Sequence, residues 1–154
     1  MSYEGGCACA AVRYRIKREP MFVHCCHCTS CQTETGSAFV INALIESDQV
    51  ERLKSAPVPV MTPSESGRGQ QVWRCLDCQV ALWSNYGGAN DILRFVRVGT
   101  LDEPGKIEPD IHIYTRSKLP WVRLPDGAFA VEAYYDSAQL WPAESLERRK
   151  ALFG

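Results

Sequence analysis

The chain has 154 residues, of which 45% are hydrophobic and 23% are charged, and its formal net charge is -1 at pH 7. This composition is typical of a folded globular protein, and the length suits a single domain over residues 1–154. It argues against nucleic-acid binding through a basic surface, which needs an excess of Lys and Arg. No signal peptide or membrane-spanning apolar run is visible, so we predict a cytoplasmic protein without a nucleic-acid or membrane partner.

Short alternating runs of apolar and polar residues, separated by turn residues such as Gly87 and Gly88, dominate the chain. They predict a mainly β fold. In chain order we predict strands at residues 12–16, 22–24, 37–45, 70–74, 80–84, 92–98, 111–114 and 121–124. The tail differs from this pattern, because Pro142 suits a first helical position and residues 143–153 are rich in helix formers. We therefore expect a core of about residues 3–125 and an extension with a short helix at about residues 141–153.

Cysteines are the most informative residues of the chain. Seven of the eight fall into three clusters, which are Cys7 and Cys9, then Cys26, Cys28 and Cys31, then Cys75 and Cys78. Without a secretion signal, such clusters favour metal binding over a disulfide framework. Seven thiolates do not fit one tetrahedral ion, so the pattern predicts one site of four cysteines and one of three.

The four-cysteine site combines the first and third clusters. Cys75 and Cys78 lie on a tight turn between two predicted strands, and Cys7 and Cys9 lie on the same face of an early strand. Four thiolates are the usual ligands of a structural zinc ion. In the alternative interpretation, Cys7 and Cys9 are small buried hydrophobic residues.

The central cluster has a different composition. Cys26, Cys28 and Cys31 can converge on one ion, but they supply only three thiolates. A zinc ion with three protein ligands keeps a coordination position for water or substrate, which is typical of a catalytic site. Such an ion could bind a substrate thiol as its thiolate, because bound zinc lowers the pKa of a thiol.

Three neighbouring side chains could instead close this site and make it structural. His24 has the same parity as Cys26 along an extended strand and could reach the ion. Cys25 should point to the opposite face of the strand, and His27 is also expected to point away. His112 stands alone in the sequence, where a hydrogen-bonded core or surface histidine is the simpler interpretation.

The motifs resemble those of the glutathione-dependent formaldehyde-activating (GFA/CENP-V) family. The resemblance runs through residues 5–9, 24–32, 36–39, 66–69, 75–78, 99–102 and 111–113. It implies an Mss4-like β-tent of short antiparallel strands stapled by zinc. It also implies a structural zinc on Cys7, Cys9, Cys75 and Cys78, and a catalytic zinc on Cys26, Cys28 and Cys31.

The resemblance implies a carbon–sulfur lyase that reversibly adds formaldehyde to glutathione, giving S-hydroxymethylglutathione. The expected partners are glutathione or a similar small thiol and a small aldehyde. The chain departs from the family pattern at Gln79, because the family usually has Gly directly after the knuckle, where the turn favours positive φ. Candidates for binding a glutathione carboxylate are Arg13, Arg94, Arg97 and Arg116, although each is better explained as a solvated surface charge.

Two further hypotheses compete with the lyase. The chain could be a non-catalytic zinc module for protein interaction or a chaperone-like role, with an exposed Trp121 or Trp141 as its partner surface. It could also be a redox or metal sensor in which Cys25, Cys26 and Cys28 oxidise and release zinc. No feature of the sequence indicates an oligomeric state.

Overall fold

A computed structural model describes residues 1–87 and 90–154, so the turn predicted at Gly88 lies outside the described residues. The strands are β1 (Tyr3–Gly6), β2 (Arg13–Ile16), β3 (Phe22–Cys26), β4 (Val40–Glu46), β5 (Val50–Arg52), β6 (Val58–Thr62), β7 (Gln70–Arg74), β8 (Ala81–Tyr86), β9 (Leu93–Arg97) and β10 (Ile111–Ile113). They form a three-stranded sheet of order β1-β2-β5 and a seven-stranded sheet of order β10-β3-β4-β9-β8-β7-β6. The prediction of a mainly β fold is confirmed.

Strand pairing follows the burial pattern of the sequence. In β2, Tyr14 and Ile16 are buried while the intervening Arg15 is half-buried, as the alternation predicts. The central strand β4 buries Ala43, Leu44 and Ile45 in succession, because both of its faces are covered. The pairs described between these strands are antiparallel except for β10 on β3, which is parallel.

The predicted hairpin around the third cysteine cluster is confirmed by the antiparallel pairing of β7 with β8. The strand predicted from residue 37 begins three residues later, at Val40, because a short helix ends at Gly36 with φ 64°. The strand predicted at residues 121–124 is wrong, since the structure has turn and irregular backbone there. Pro120 and Pro125 flank this segment, and proline cannot donate to a ladder. The sequence patterns also missed β1, β5 and β6.

Within the described residues three α-helices accompany the sheets, namely α1 (Thr29–Thr35), α2 (Ser137–Leu140) and α3 (Ala143–Phe153). The predicted C-terminal helix is confirmed, and Pro142 precedes its first turn as the N-cap residue. Side chains fasten α3 to the large sheet, because the Ser145 hydroxyl donates to the Met21 carbonyl at 2.7 Å and Arg148 pairs with Glu46 at 2.6 Å. No helix in the described part of the chain is long and apolar enough to span a membrane.

Strand β3 positions the candidate site because all five of its residues are buried. Its two faces contribute to different hydrophobic clusters. Val23 packs in a cluster that also contains Cys7 and Cys75, whereas Phe22 and Cys26 pack in a second cluster. Cys7, Cys75 and Cys26 are therefore parts of the hydrophobic clusters, and β3 presents different side chains to its two sides.

Candidate metal centres

The first and third cysteine clusters meet, although about 66 residues separate them in the chain. The Sγ atoms of Cys7, Cys9, Cys75 and Cys78 all lie within 4.8 Å of one another. The Cys7–Cys9 distance is 3.5 Å and the Cys9–Cys75 distance is 3.7 Å, and all eight cysteines of the chain are free thiols. A tetrahedral zinc ion with Zn–S bonds of about 2.3 Å separates its sulfurs by about 3.8 Å. The group could therefore hold a metal ion.

Two tight turns hold these thiols in place. The early strand predicted for Cys7 and Cys9 is therefore wrong, because β1 ends at Gly6 and a turn begins directly after it. The Cys7 carbonyl accepts from the Ala10 amide at 3.1 Å, and the Cys75 carbonyl accepts from the Gln79 amide at 3.0 Å. Ala10 and Gln79 have φ angles of 62° and 64°, in the left-handed region that favours glycine. The turn after the second knuckle thus has the predicted positive φ, and Gln79 adopts it while the cysteine group stays intact.

The central cluster spans the end of β3 and the start of α1. The Sγ atoms of Cys26, Cys28 and Cys31 lie within 4.8 Å of one another, and all three residues are buried. Cys28 is the N-cap of α1, and its sulfur accepts a hydrogen bond from the Cys31 amide at 3.2 Å. Hydrogen bonds from the Cys26 and Cys31 thiols, and then from backbone amides, lower the pKa of Cys28 to about 3. This arrangement favours a thiolate, which is the form that binds metal.

A cavity of about 440 Å³ opens over this trio. Its lining combines the three cysteines with an apolar, aromatic wall and one charged residue of each sign. The lining residues are His24, Cys26, Cys28, Ser30, Cys31, Asn42, Ser64, Glu65, Ser66, Arg68, Gln70, Tyr86, Gly87, Phe95, Ile113, Tyr114 and Tyr134. The volume is within the range of small-molecule sites. The three-cysteine group thus faces a space that a ligand could enter.

His24 lines the cavity but is not part of the three-cysteine group. Its Nε2 atom hydrogen-bonds the hydroxyl of Tyr135, which in turn accepts from the indole N–H of Trp141 at 2.8 Å. Burial lowers the pKa of His24 to about 4, so the imidazole is neutral. His24 therefore positions the wall of the cavity through its hydrogen bond to Tyr135.

The sequence of the chain matches a known protein family. The sequence model of the family described as glutathione-dependent formaldehyde-activating enzyme (GFA) matches residues 2–117. The chain belongs to this family. A solved structure of a Rhodobacter sphaeroides protein is 18% identical, with a TM-score of 0.48, and the match covers 69% of this chain and 91% of that one. The search of curated proteins finds no match.

The GFA match stops before residues that shape the cavity. Tyr134 lines it and stacks on Tyr135, with ring centroids 4.8 Å apart, and both lie beyond residue 117. Sequence reasoning missed both tyrosines, because an aromatic pair in an irregular segment has no periodic pattern that indicates a site. It also missed Arg68, whose only signal is its place in the family-like motif of residues 66–69. Arg68 is the cationic residue among those that line the cavity.

The four arginines proposed from the sequence as carboxylate partners of glutathione each pair with a carboxylate of the chain itself. Arg13 pairs with Asp102, Arg94 with Asp91, and Arg116 with Glu65. Arg97 is buried, pairing with Glu34 at 3.1 Å and donating to Asn42 at 2.6 Å. The expectation of a solvated surface charge is therefore wrong for Arg97, because α1 supplies it with a buried counter-ion.

Proposed function

We propose that this protein is a carbon–sulfur lyase that adds formaldehyde or a similar small carbonyl compound to the thiol of glutathione or a related thiol, and removes it in reverse. One observation carries the proposal, namely that the buried trio of Cys26, Cys28 and Cys31 forms part of the wall of a cavity of about 440 Å³. Membership of the GFA family supports the same chemistry. In this proposal Cys7, Cys9, Cys75 and Cys78 hold a structural zinc and the trio holds a catalytic zinc.

The proposed reaction is an addition without an oxidant or reductant. The thiol sulfur forms a bond to the carbonyl carbon, the carbon–oxygen π bond breaks, and the thiol proton ends on the carbonyl oxygen. A zinc ion on the trio would lower the pKa of the substrate thiol and polarise the carbonyl group. Burial raises the pKa of Tyr86, so its hydroxyl stays protonated and can donate a hydrogen bond within the cavity.

The cavity also suits the rest of a thiol substrate. Glutathione carries two carboxylates, and we assign Arg68 as the partner of one of them, because it is the cationic lining residue. The rings of Tyr114 and Tyr134 form an apolar wall against which the peptide part can pack. Formaldehyde alone would leave most of this volume empty, which favours a larger thiol partner.

The experiment uses cobalt-substituted protein, whose absorption reports on thiolate ligands. We expect glutathione to change the spectrum of the wild type and S-methylglutathione to leave it unchanged, because the latter has no free thiol. In the Cys26→Ser variant the glutathione-dependent change should disappear, and formation of the hydroxymethyl adduct, followed by NMR, should fall at least 100-fold. A spectrum in the wild type that ignores glutathione would refute the proposal.

A variant pair tests the carboxylate contact. Arg68→Gln should raise the KM for glutathione about 10-fold, which corresponds to about 1.4 kcal/mol. Arg52→Gln serves as the matched control, because Arg52 is an exposed arginine in β5 outside the cavity. Equal KM values for the two variants would contradict the assignment of Arg68.

The alternative hypothesis of a non-catalytic zinc module predicts the opposite of the lyase proposal. In that case the bound metal should not respond to small thiols. Of the two partner residues proposed for the module, Trp121 is 70% exposed and remains available. Trp141 is only 8% exposed and stacks on Phe22, so its proposal as a partner surface is wrong. Its burial follows from its place between α2 and α3, where it closes the second hydrophobic cluster.

A further inference from the structure

A third group of potential metal ligands lies on the face of β3 opposite the cavity. The group consists of Cys25, His27 and His112, whose ligand atoms all lie within 4.8 Å of one another. The parallel pairing of β10 with β3 places His112 directly beside Cys25, and the His27 amide donates to the Ile113 carbonyl at 3.0 Å. The backbone of two strands thus holds all three side chains in register.

The distances suit one shared ion. Cys25 Sγ lies 3.6 Å from His27 Nε2, and His27 Nε2 lies 3.0 Å from His112 Nδ1. A tetrahedral zinc ion with bonds of about 2.3 Å to sulfur and about 2.05 Å to nitrogen separates S from N by about 3.6 Å and N from N by about 3.3 Å. The first distance matches, and the second requires the two rings to part by about 0.3 Å.

Hydrogen bonding alone accounts poorly for this convergence. His27 Nε2 faces both the sulfur and the second imidazole, yet a ring nitrogen carries at most one proton to donate. Cys25 and His27 are 1% and 0% exposed, so bulk solvent does not satisfy their polar atoms. His112 is half-buried, which provides a path from solvent to the group.

We propose that Cys25, His27 and His112 form a third metal site, which takes a soft ion of the Zn²⁺ or Cu(I) class. One thiolate and two neutral imidazoles are ligands that both ions accept. The site is separate from the four-plus-three division of the other cysteines and needs Cys25, which the family-like pattern does not require. On binding, the Cys25 thiol releases its proton to solvent and its sulfur becomes a ligand.

The test counts metal in the full chain after loading with Zn²⁺ in one arm and Cu(I) in the other. We expect the wild type to hold one ion per chain more than Cys25→Ser in at least one arm, and the arm identifies the ion. His112→Gln is the second variant, because His112 is only half-buried and its loss should spare the fold. Cys26→Ser serves as the control, because it should lose the ion of the trio and keep the ion of the third site. Equal counts for the wild type and both variants in both arms would overturn the proposal.

A second measurement needs no variant. Long-range ¹H–¹⁵N spectra of the wild type report which imidazole nitrogens carry protons. With metal bound, neither His27 Nε2 nor His112 Nδ1 should be protonated, whereas a hydrogen-bonded pair keeps one proton between them. A proton retained between these two nitrogens at excess Zn²⁺ and at excess Cu(I) would refute the site. Because the readout concerns the face of β3 opposite the cavity, its failure leaves the lyase proposal unaffected.

Discussion

Glu34 should be one of the most important charged residues for stability, because it ties the helix of the cysteine trio to the large sheet. It lies in α1, its side chain is 6% exposed, and it binds Arg74 at 2.8 Å and Arg97 at 3.1 Å. The Arg97 side chain is equally buried, and its Nε atom has no hydrogen-bond partner among the described residues. Replacing Glu34 by Gln would therefore leave a buried guanidinium without its counter-ion.

The expected loss of stability follows from the burial of the Glu34–Arg97 ion pair. Removing one partner of a buried ion pair costs about 3–5 kcal/mol, but Asn42 continues to accept from Arg97 and the amide of Gln can still accept, so we expect about 3 kcal/mol. For a domain of this length each kcal/mol lowers Tm by about 2–4 °C, so Glu34→Gln should lower it by about 10 °C. The loss would be a large fraction of the about 5–15 kcal/mol that stabilises a typical domain.

Urea unfolding of the zinc-loaded protein measures this loss, with Glu103→Gln as the matched control. Glu103 also forms an ion pair, with Lys106 at 2.7 Å, but both side chains are exposed, so its loss should cost less than about 1 kcal/mol. A chelator should also remove metal faster from Glu34→Gln, because α1 contains Cys31 and has Cys28 as its N-cap. A loss of stability no larger than that of the control would refute the reasoning.

Four further predictions each concern a single residue. Gln79→Gly should relieve the left-handed backbone at φ 64° and raise stability by about 0.5–1 kcal/mol in thermal unfolding, whereas Gln79→Ala should give no gain. Glu46→Gln should lower stability at pH 7, with a difference that shrinks as pH falls below about 4.3, because Arg148 holds the pKa of Glu46 below its usual value despite burial. That stabilisation is present above the unfolded pKa and is lost as pH falls through the lower folded pKa, so a pH-independent difference in urea titrations would contradict it. Cys75→Ser should remove one metal ion per chain and abolish the cooperative thermal transition of the folded protein. Tyr134→Ala should raise the KM for glutathione several-fold with a smaller change in kcat, and an unchanged KM would argue against this wall as a substrate contact.

Local spacing explains why much of the candidate site could be predicted from the sequence. A step of two or three residues around a tight turn restricts two thiols to the same small region whatever the rest of the chain does. The pairs Cys7 with Cys9 and Cys75 with Cys78 are of this kind, and the structure brings them together as four. The C-terminal helix was predictable for a similar reason, because its composition and Pro142 act within the helix itself.

Strands that form only by pairing with distant parts of the chain could not be predicted from local sequence patterns. The short strands β1, β5 and β6 carry little periodic signal and form because neighbouring strands supply their hydrogen bonds. The segment of residues 121–124 shows the converse, since its composition resembles a strand but its flanking prolines leave it without a ladder partner. In both cases the tertiary context decided the outcome.

The two faces of β3 separate what the sequence determined from what the tertiary structure decided. Alternation along the strand by itself determined that Cys26 and Cys25 point to opposite sides. Only the tertiary structure decided what each side meets, because the parallel pairing of β10 brings His112 to His27 across 85 residues of sequence and the segment beyond residue 117 brings Tyr134 to the cavity. Side-chain parity is a property of a few consecutive peptide units, whereas these contacts depend on the pairing of the whole sheet and the packing of the C-terminal segment against it.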